Sequence, residues 1–482
     1  MKTAVKYLSS VMYRLRQKRV LQLEKELSSR QWWSTEDLYR FCDEKTRYLA
    51  EHASRNVPYY RELFKSLNID PTSMTFSQDW NRLPILEKDT LRTQYNGLIA
   101  ETEHAKRARQ NHSGGSTGKP VAFLSDLALY EIMAANMRLI FSWAGWKPGD
   151  MVLHLWGGGD RKLPLPFWEH IKALLNGYLV LPVYSYDENI FTRWWEALKK
   201  YQPTIIYAYP SVAADFSRWL EGVGYQPKSV KGVFCSAEVL FPNHRNIIER
   251  VFNCKVYNQY GSRETPCVAC ECPEGNLHVF VDLNRVEFLP EPEEIGRPQR
   301  IIVTPLENYA QPLLRYDLGD LGTPKEGLCP CGRGFPLMEM NLGRENDHIR
   351  AMDGRMIYPS FFIHLLDGKK WIRCFQFRQV KPDGLELVME TDILPDIQEH
   401  VNRLASEMLP HLQAKMGAGI KLNIRAVPFI ERTSAGKHRT TSTSPGRSGS
   451  TRSSWLIGEP VRTSWPGGWA PGDRLGPAAE LC

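Results

Sequence analysis

Between residues 150 and 235 the chain repeats one theme: a short apolar run, then an amphipathic stretch. Asp150 to Leu155, Tyr178 to Val183, Thr204 to Ala208 and Gly232 to Cys235 each read as strands, with helical spacing between them. Strand–helix alternation of this kind predicts an α/β fold with several layers and largely parallel strands. At 482 residues the chain exceeds what one core organises, so a large domain and a smaller one are expected. The change comes after about Leu342. There a strand at Leu385 to Glu390, a helix from Asp396 to Leu409 and a strand near Ile420 to Arg425 predict a small C-terminal α+β domain. Ahead of the alternating region, Ser34 to Phe64 reads helical: Ser34 is a cap, Glu36 and Asp37 lie in the first turn, and Leu38, Phe41, Tyr48 and Leu49 share a face. From His438 onward Ser, Thr, Pro, Gly and Arg dominate around isolated Trp455, Trp465 and Trp469, which predicts disorder; the abrupt shift also resembles a translated frameshift or an added extension.

The formal charge of +7 is concentrated at one end, because Met1 to Arg30 holds eight Lys or Arg against Glu24 and Glu26. Val5, Leu8, Met12 and Leu15 at helical spacing allow a weak peripheral contact with an anionic membrane surface. A basic helix packed on its own domain is the favoured reading. No recognition motif accompanies these residues, which argues against a nucleic-acid partner. No run of eighteen apolar residues occurs, and Arg14, Arg16, Lys18 and Arg19 stand where a secretory signal needs an apolar stretch, so a cytoplasmic protein is expected.

The strongest local signal is Ser113-Gly114-Gly115-Ser116-Thr117-Gly118-Lys119. Three glycines allow a tight backbone, and its amides, hydroxyls and ammonium can converge on phosphate oxygens. A Walker loop would carry glycine at Ser113 and Ser or Thr where Pro120 stands, so a P-loop NTPase is disfavoured. Val121 to Leu124 reads as a strand, followed by a helix from Ser125 or Asp126 that turns Met133, Met137, Ile140, Phe141 and Ala144 inward and ends at Gly145. The loop is therefore expected to join two strands.

At this loop and four later segments, from about Arg30 to Lys437, the chain resembles the adenylate-forming superfamily, and within it the phenylacetate-coenzyme A ligase and capsule-biosynthesis branch. Ser236-Ala237-Glu238 looks like the family's adenine-side segment, and Asn258-Gln259-Tyr260-Gly261-Ser262-Arg263-Glu264 like its Tyr-Gly-x-x-Glu element. The resemblance implies that Tyr260 lies against adenine and that Glu264 helps hold magnesium, which offsets charge at the α-phosphate. Arg315-Tyr316-Asp317-Leu318-Gly319-Asp320 resembles Arg-Tyr-x-x-Gly-Asp, implying that Asp320 accepts both ribose hydroxyls. Gly343-Arg344 matches the start of the interdomain hinge, with Arg344 offered to ribose or phosphate. Asn346 stands at the pivot where an aspartate is common. Gly436-Lys437 falls where the superfamily carries its catalytic lysine, implying that Lys437 bridges the carboxylate and the α-phosphate. Each residue read alone has a plain alternative: a solvated loop acid for Glu264, a turn cap for Asp320 and a surface lysine for Lys437.

The organisation that follows is a basic helix over 1–30, a large adenylation domain over 31–345, a small mobile domain over 346–437 and a disordered tail over 438–482. The function implied is ATP-dependent formation of an acyl-adenylate and transfer to coenzyme A by a monomer or homodimer. Two readings compete with it: an adenylating enzyme of capsular or cell-surface polysaccharide assembly with a different acceptor, and a non-catalytic binding protein on the same scaffold. Cys272, His278, Cys329 and Cys331 offer three thiolates and an imidazole for a closed structural zinc site, and the branch resembled often has one; Cys267 or Cys270 could replace Cys272 on spacing alone. Trp156, Gly157, Gly158 and Gly159 at one strand end, with Tyr207, Tyr209 and Phe234 near others, suggest an apolar acyl pocket, although Tyr207 and Phe234 read equally as core. Which carboxylic acid is used is left open.

Overall fold

The computed structural model describes residues 18–112, 121–157, 167–183, 188–290, 299–344, 349–353, 356–357, 361–362, 365–366, 369, 371–391, 397–430 and 441–443. Its N-terminal layer is helical. α1 (Lys18–Arg30) buries Val20, Leu23 and Leu27, and α2 (Thr35–Asn56) begins at Ser34, whose hydroxyl accepts the Asp37 amide. The helical run expected to Phe64 is broken at Val57, because Pro58 cannot donate its nitrogen to the ladder and instead opens α3 (Pro58–Leu67). The favoured reading of the basic segment holds over Lys18–Arg30. There Arg30 donates to the fully buried Asp282 at 3.1 Å and Glu24 accepts from Arg138 at 2.6 Å. Val5, Leu8, Met12 and Leu15 lie outside the described residues.

β1 (Arg109–His112) and β2 (Ala122–Ser125) form an antiparallel pair on either side of 113–121, the two-strand arrangement expected of the glycine-rich segment. α4 (Leu127–Trp143) follows, capped by Asp126, whose Oδ1 accepts the Leu129 amide at 3.0 Å. Next come β3 (Val152–Leu155), α5 (Phe167–Asn176), β4 (Tyr178–Leu181), α6 (Glu188–Tyr201), β5 (Ile205–Ala208), α7 (Pro210–Gly222), β6 (Gly232–Ser236), α8 (Pro242–Phe252) and β7 (Lys255–Tyr260). These strands pair in parallel in the order β4-β3-β5-β6-β7.

The expectation of largely parallel strands holds only for this half. Beyond β7 the sheet continues through β8 (Ala269–Glu271), β9 (Leu277–Val279), β13 (Leu337–Arg344), β12 (Tyr316–Lys325), β11 (Gln299–Pro305) and β10 (Asn284–Leu289), all antiparallel, making eleven strands in total. No long crossovers separate these strands in sequence, and antiparallel pairing is what short connections permit.

β14 (Ile349–Arg350) and β15 (Met356–Ile357) form a small ladder. The C-terminal unit is a four-stranded sheet of order β18-β17-β16-β19, from β16 (Ile372–Lys381), β17 (Gly384–Thr391), β18 (Lys421–Val427) and β19 (Thr441–Thr443). α9 (Ile397–Met416) packs Leu404, Met408, Leu412 and Met416 against it. This helix runs past the expected end at Leu409 despite Pro410. Disorder from His438 does not hold at Thr441–Thr443, which pair in parallel with Phe377–Gln379; the rest of the tail lies outside the described residues. Among the described residues, no helix is long and apolar enough to cross a membrane.

Candidate nucleotide site and metal knuckle

The parallel strands deliver β6 and β7 side by side, with Ser236 and Gln259 in register at their C-terminal ends. Strand ends of an open α/β sheet are where ligands bind, because backbone and loop groups are free there. Ala237 leaves β6 at φ +70, a left-handed conformation that costs a residue with a Cβ, and Glu238 then turns back so that Oε2 accepts the Ser211 amide at 3.2 Å. Gln259 Oε1 accepts the Tyr207 hydroxyl at 3.0 Å, tying β7 to β5.

After Tyr260 the chain folds into a closed turn. Ser262 donates its amide to Thr265 O at 3.1 Å, and Thr265 donates its own to Ser262 Oγ at 3.0 Å. A Cβ on Gly261 would stand 3.0 Å from Cys267 N and 3.1 Å from Thr265 O, so a larger residue would pry this turn open. The turn buries Glu264, whose Oε1 accepts the Tyr316 hydroxyl at 3.3 Å. Its other neighbour, Arg263, donates to the His112 carbonyl at 3.1 Å. The chain therefore enters 113–119 beside this turn; Ser113, Gly114, Gly115, Ser116, Thr117, Gly118 and Lys119 themselves lie outside the described residues.

Asp320 arrives from β12. Tyr260 donates its hydroxyl to Asp320 Oδ2 at 3.1 Å, and Asp320 is paired across the ladder with the backbone of Arg344 on β13. Segments about 60 residues apart in sequence thus meet through one hydrogen bond. Of the residues expected at a nucleotide, Ser236, Ala237, Glu238, Gln259, Tyr260, Gly261, Ser262, Glu264 and Asp320 line these strand ends. Arg344 is placed by its backbone alone, and Lys437 and Asn346 lie outside the described residues.

Sequence reasoning missed the supports of this motif. Arg315 is buried with φ +53; it donates to Leu83 O at 2.6 Å and Asn81 O at 3.1 Å, and pairs with Glu287 at 2.9 Å. Leu86 bonds both sides of the same turn, accepting from Asp317 N at 3.1 Å and donating to Arg315 O at 2.9 Å. Lys88 Nζ donates to Leu318 O at 2.6 Å. Arg300 pairs with Asp317 as well. Arg315 was visible as part of a motif, but only its partners, far away in sequence, disclose that it faces inward as a brace.

The aromatic strand ends are packed on one another: Trp156 stacks on Tyr207 with centroids 4.9 Å apart and leans on Tyr209 at 4.2 Å. Phe234 stacks on Tyr257 at 4.6 Å and is fully buried, so it is core. Gly157 follows Trp156 at the strand end, while Gly158 and Gly159 lie outside the described residues. Burial pushes the His154 imidazole, set among Tyr178 and Tyr207, down to about 3 and keeps it neutral.

Around β9, Cys272, His278, Cys329 and Cys331 place their ligand atoms within 4.8 Å of one another. Cys272 Sγ is 3.5 Å from Cys329 Sγ, and Cys331 Sγ is 3.3 Å from His278 Nε2. Of the three cysteines left open, Cys272 lies in this cluster, while Cys270 is buried with its thiol toward Glu271 O and Cys267 stands outside it. His278 directs Nδ1 at Phe335 O, 3.3 Å away, and burial pushes its pKa down to about 4, leaving the imidazole neutral. The knuckle also carries the N-terminal layer. Gly334 donates to Gln31 O at 3.0 Å and accepts from Thr35 Oγ1 at 2.7 Å, while Arg333 donates to Gln31 Oε1 at 2.9 Å and stacks over Trp32 and Trp143.

Residues 165–302 match the AMP-binding enzyme family. The phenylacetate-coenzyme A ligase of Thermus thermophilus is 28% identical over 343 residues, 67% of this chain and 74% of its own. Protein CapK of Staphylococcus aureus is 23% identical over 414 residues, 84% of this chain and 88% of its own. By these matches the chain is similar to members of the adenylate-forming superfamily. Its large sheet and C-terminal unit share the adenylate-forming fold of a 2-hydroxyisobutyryl-CoA ligase in the postadenylation state with 2-HIB-AMP, at TM-score 0.69 and 19% identity over 86% of this chain and 91% of that one. The same ligase in the thioesterification state overlays at TM-score 0.56, again at 19% identity over 86% and 91% of the two chains.

Proposed function

We propose that this protein activates a carboxylic acid with ATP and passes the acyl group to coenzyme A. In the first half, a carboxylate oxygen bonds to the α-phosphorus while the bond to pyrophosphate breaks. In the second, a thiolate attacks the acyl carbon and AMP leaves. The observation that carries this reading is the Tyr260–Asp320 hydrogen bond of 3.1 Å beside the buried Glu264. It brings a ring suited to stack on a base, a carboxylate suited to two vicinal hydroxyls and a carboxylate suited to a divalent cation to one set of strand ends.

On this reading Asp320 orients the ribose, Tyr260 covers the adenine and the Ser236–Glu238 turn lines its edge. Ser113 to Lys119 cradle the phosphates, with Arg344 at ribose or phosphate. Glu264 would hold Mg²⁺, which supplies charge compensation at the phosphates when bound. Tyr316 occupies one Glu264 oxygen and so fixes the direction of the other. Lys437 would bridge the acid and the α-phosphate, and Asn346 would be the pivot that withdraws it. The division at about residue 345 belongs to the same reading, as does a cytoplasmic location, where ATP and coenzyme A are at hand.

Zinc fits the knuckle. Four ligands at about 2.3 Å for sulfur and about 2.0 Å for nitrogen place neighbouring donors roughly 3.5–3.8 Å apart in a tetrahedron. Cys272–Cys329 at 3.5 Å and Cys331–His278 at 3.3 Å need only small adjustment. Phe335 O on the second ring nitrogen supplies the outer-shell partner such a histidine uses. With all four positions filled by protein, this ion tethers and does not react.

The test is product analysis by mass spectrometry with ATP, magnesium and a panel of acids headed by phenylacetate, the acid named by several relatives. Acyl-adenylate without coenzyme A, converted to acyl-coenzyme A when it is added, is the expected result. Adenylate that no thiol consumes would overturn the second half.

A further inference from the structure

Four residues beyond Glu238 the large sheet's α8 begins, and the residue at its cap, Phe241, touches His244 of its own helix and reaches across to the other half of the molecule. Its ring lies 5.5 Å from Phe375 on β16 and is buried with Ile349, Phe362, Phe377 and Leu387 of the C-terminal unit, with Val239 alongside. The base under this ring is stiff. Pro242 fixes the first position of α8, Phe241 O accepts the Arg245 amide at 3.0 Å, and the Arg245 guanidinium grips both oxygens of Glu271 at 2.8 Å. Burial pushes the Glu271 carboxyl up against the pull of Arg245 and the Asn258 amide, and these bonds tie α8 to β7 and β8.

An apolar contact between two units that exchange positions differs from an ion pair in one respect. It can separate without stranding a buried charge, yet it favours whichever position buries the ring. A contact present in one conformer and absent from another shifts their populations by its differential free energy. Phe241 caps a helix of the large unit and Phe375 lies on the small unit's sheet, so any swing of the small unit about the segment near residue 345 must part them. The fold overlays better on the relative's postadenylation state, at TM-score 0.69, than on its thioesterification state, at 0.56.

Resting on the ligase reading above, we propose that Phe241 is a positioning residue for the adenylating half-reaction: its ring, seated against Phe375, holds the small unit in the conformer that forms the acyl-adenylate. It touches no substrate and acts only through domain position.

The test separates the half-reactions. In Phe241→Ala, acid-dependent exchange of labelled pyrophosphate into ATP should fall about tenfold, equivalent to about 1.4 kcal/mol. Thioester formation from synthetic phenylacetyl-adenylate and coenzyme A should be unchanged or faster, and Phe241→Leu should recover most of the exchange. An equal fall in both half-reactions, or no change in either, overturns the proposal. A turnover-free arm compares X-ray scattering of the wild type and Phe241→Ala without substrate. A larger radius of gyration in the variant supports the seat, and superimposable curves overturn it. If the wild type shows no exchange while the scattering still differs, the ligase reading falls and the seat stands.

Discussion

The hydroxyl of Tyr260 and the carboxylate of Asp320 define the scale at which the chemistry is decided. An ionised carboxylate that accepts two ribose hydroxyls makes charge-assisted bonds worth about 1.5–3 kcal/mol. Asp320→Ala is therefore expected to raise the KM for ATP roughly ten- to hundredfold with a smaller effect on kcat, measured by initial rates at saturating acid. His154 carries a pH prediction. Its folded pKa of about 3 lies below the unfolded value of about 6.5, so between these pH values the unfolded chain takes up a proton that the native ring refuses. Its contribution is thus intact above about pH 6.5 and is lost as pH falls towards 3, at about 1.4 kcal/mol per pH unit. Urea unfolding of His154→Phe should shrink the stability difference between pH 7 and pH 5 by about 2 kcal/mol; an unchanged difference would remove His154 from the acid limb.

Between single residues and the molecule stand the turn after α1 and the cysteine knuckle, which hold each other. A Cβ on Gly334 would stand 1.7 Å from the Trp33 carbonyl oxygen, a backbone atom that cannot rotate away. Gly334→Ala should lift the 31–35 turn off the knuckle and cost about 1–3 kcal/mol, read as a lower thermal midpoint. Chelation should act on the same pair. On the zinc reading, chelation of the folded protein is expected to speed amide exchange at both 327–335 and 31–35, whereas exchange rising at the knuckle alone would show that the two are not coupled. Little of this coupling was legible in sequence. The thiol spacing suggested a metal, but which cysteine joins the cluster depended on how the chain turns after β8, and Gly334 looks like any loop glycine until Trp33 arrives from 301 positions earlier. β12 was equally hard to read, because Gly319, Gly322 and Pro324 give a strand interior the look of a loop.

At the level of the whole chain, the parallel half of the sheet was legible because its strands are continuous buried runs, Val152–Leu155 and Ile205–Ala208 among them. The antiparallel half was not. Its strands mix polar residues, glycine and proline with apolar ones, as Tyr316–Lys325 does, and its register is set by pairings such as Asp320 with Arg344 that no local pattern encodes. The candidate site follows the same division: its motifs were readable as words, while the braces at Leu86, Lys88 and Glu287 became visible only in three dimensions. The central claim is that these distant segments grip one nucleotide and activate an acid with it. The measurement that tests it most directly is exchange of labelled pyrophosphate into ATP by the purified protein, with magnesium and each acid of a panel, beside Asp320→Ala. The account expects exchange that depends on one class of acid and falls at least tenfold at subsaturating ATP in the variant. Exchange with no acid, together with no calorimetric binding of magnesium-ATP, would contradict it.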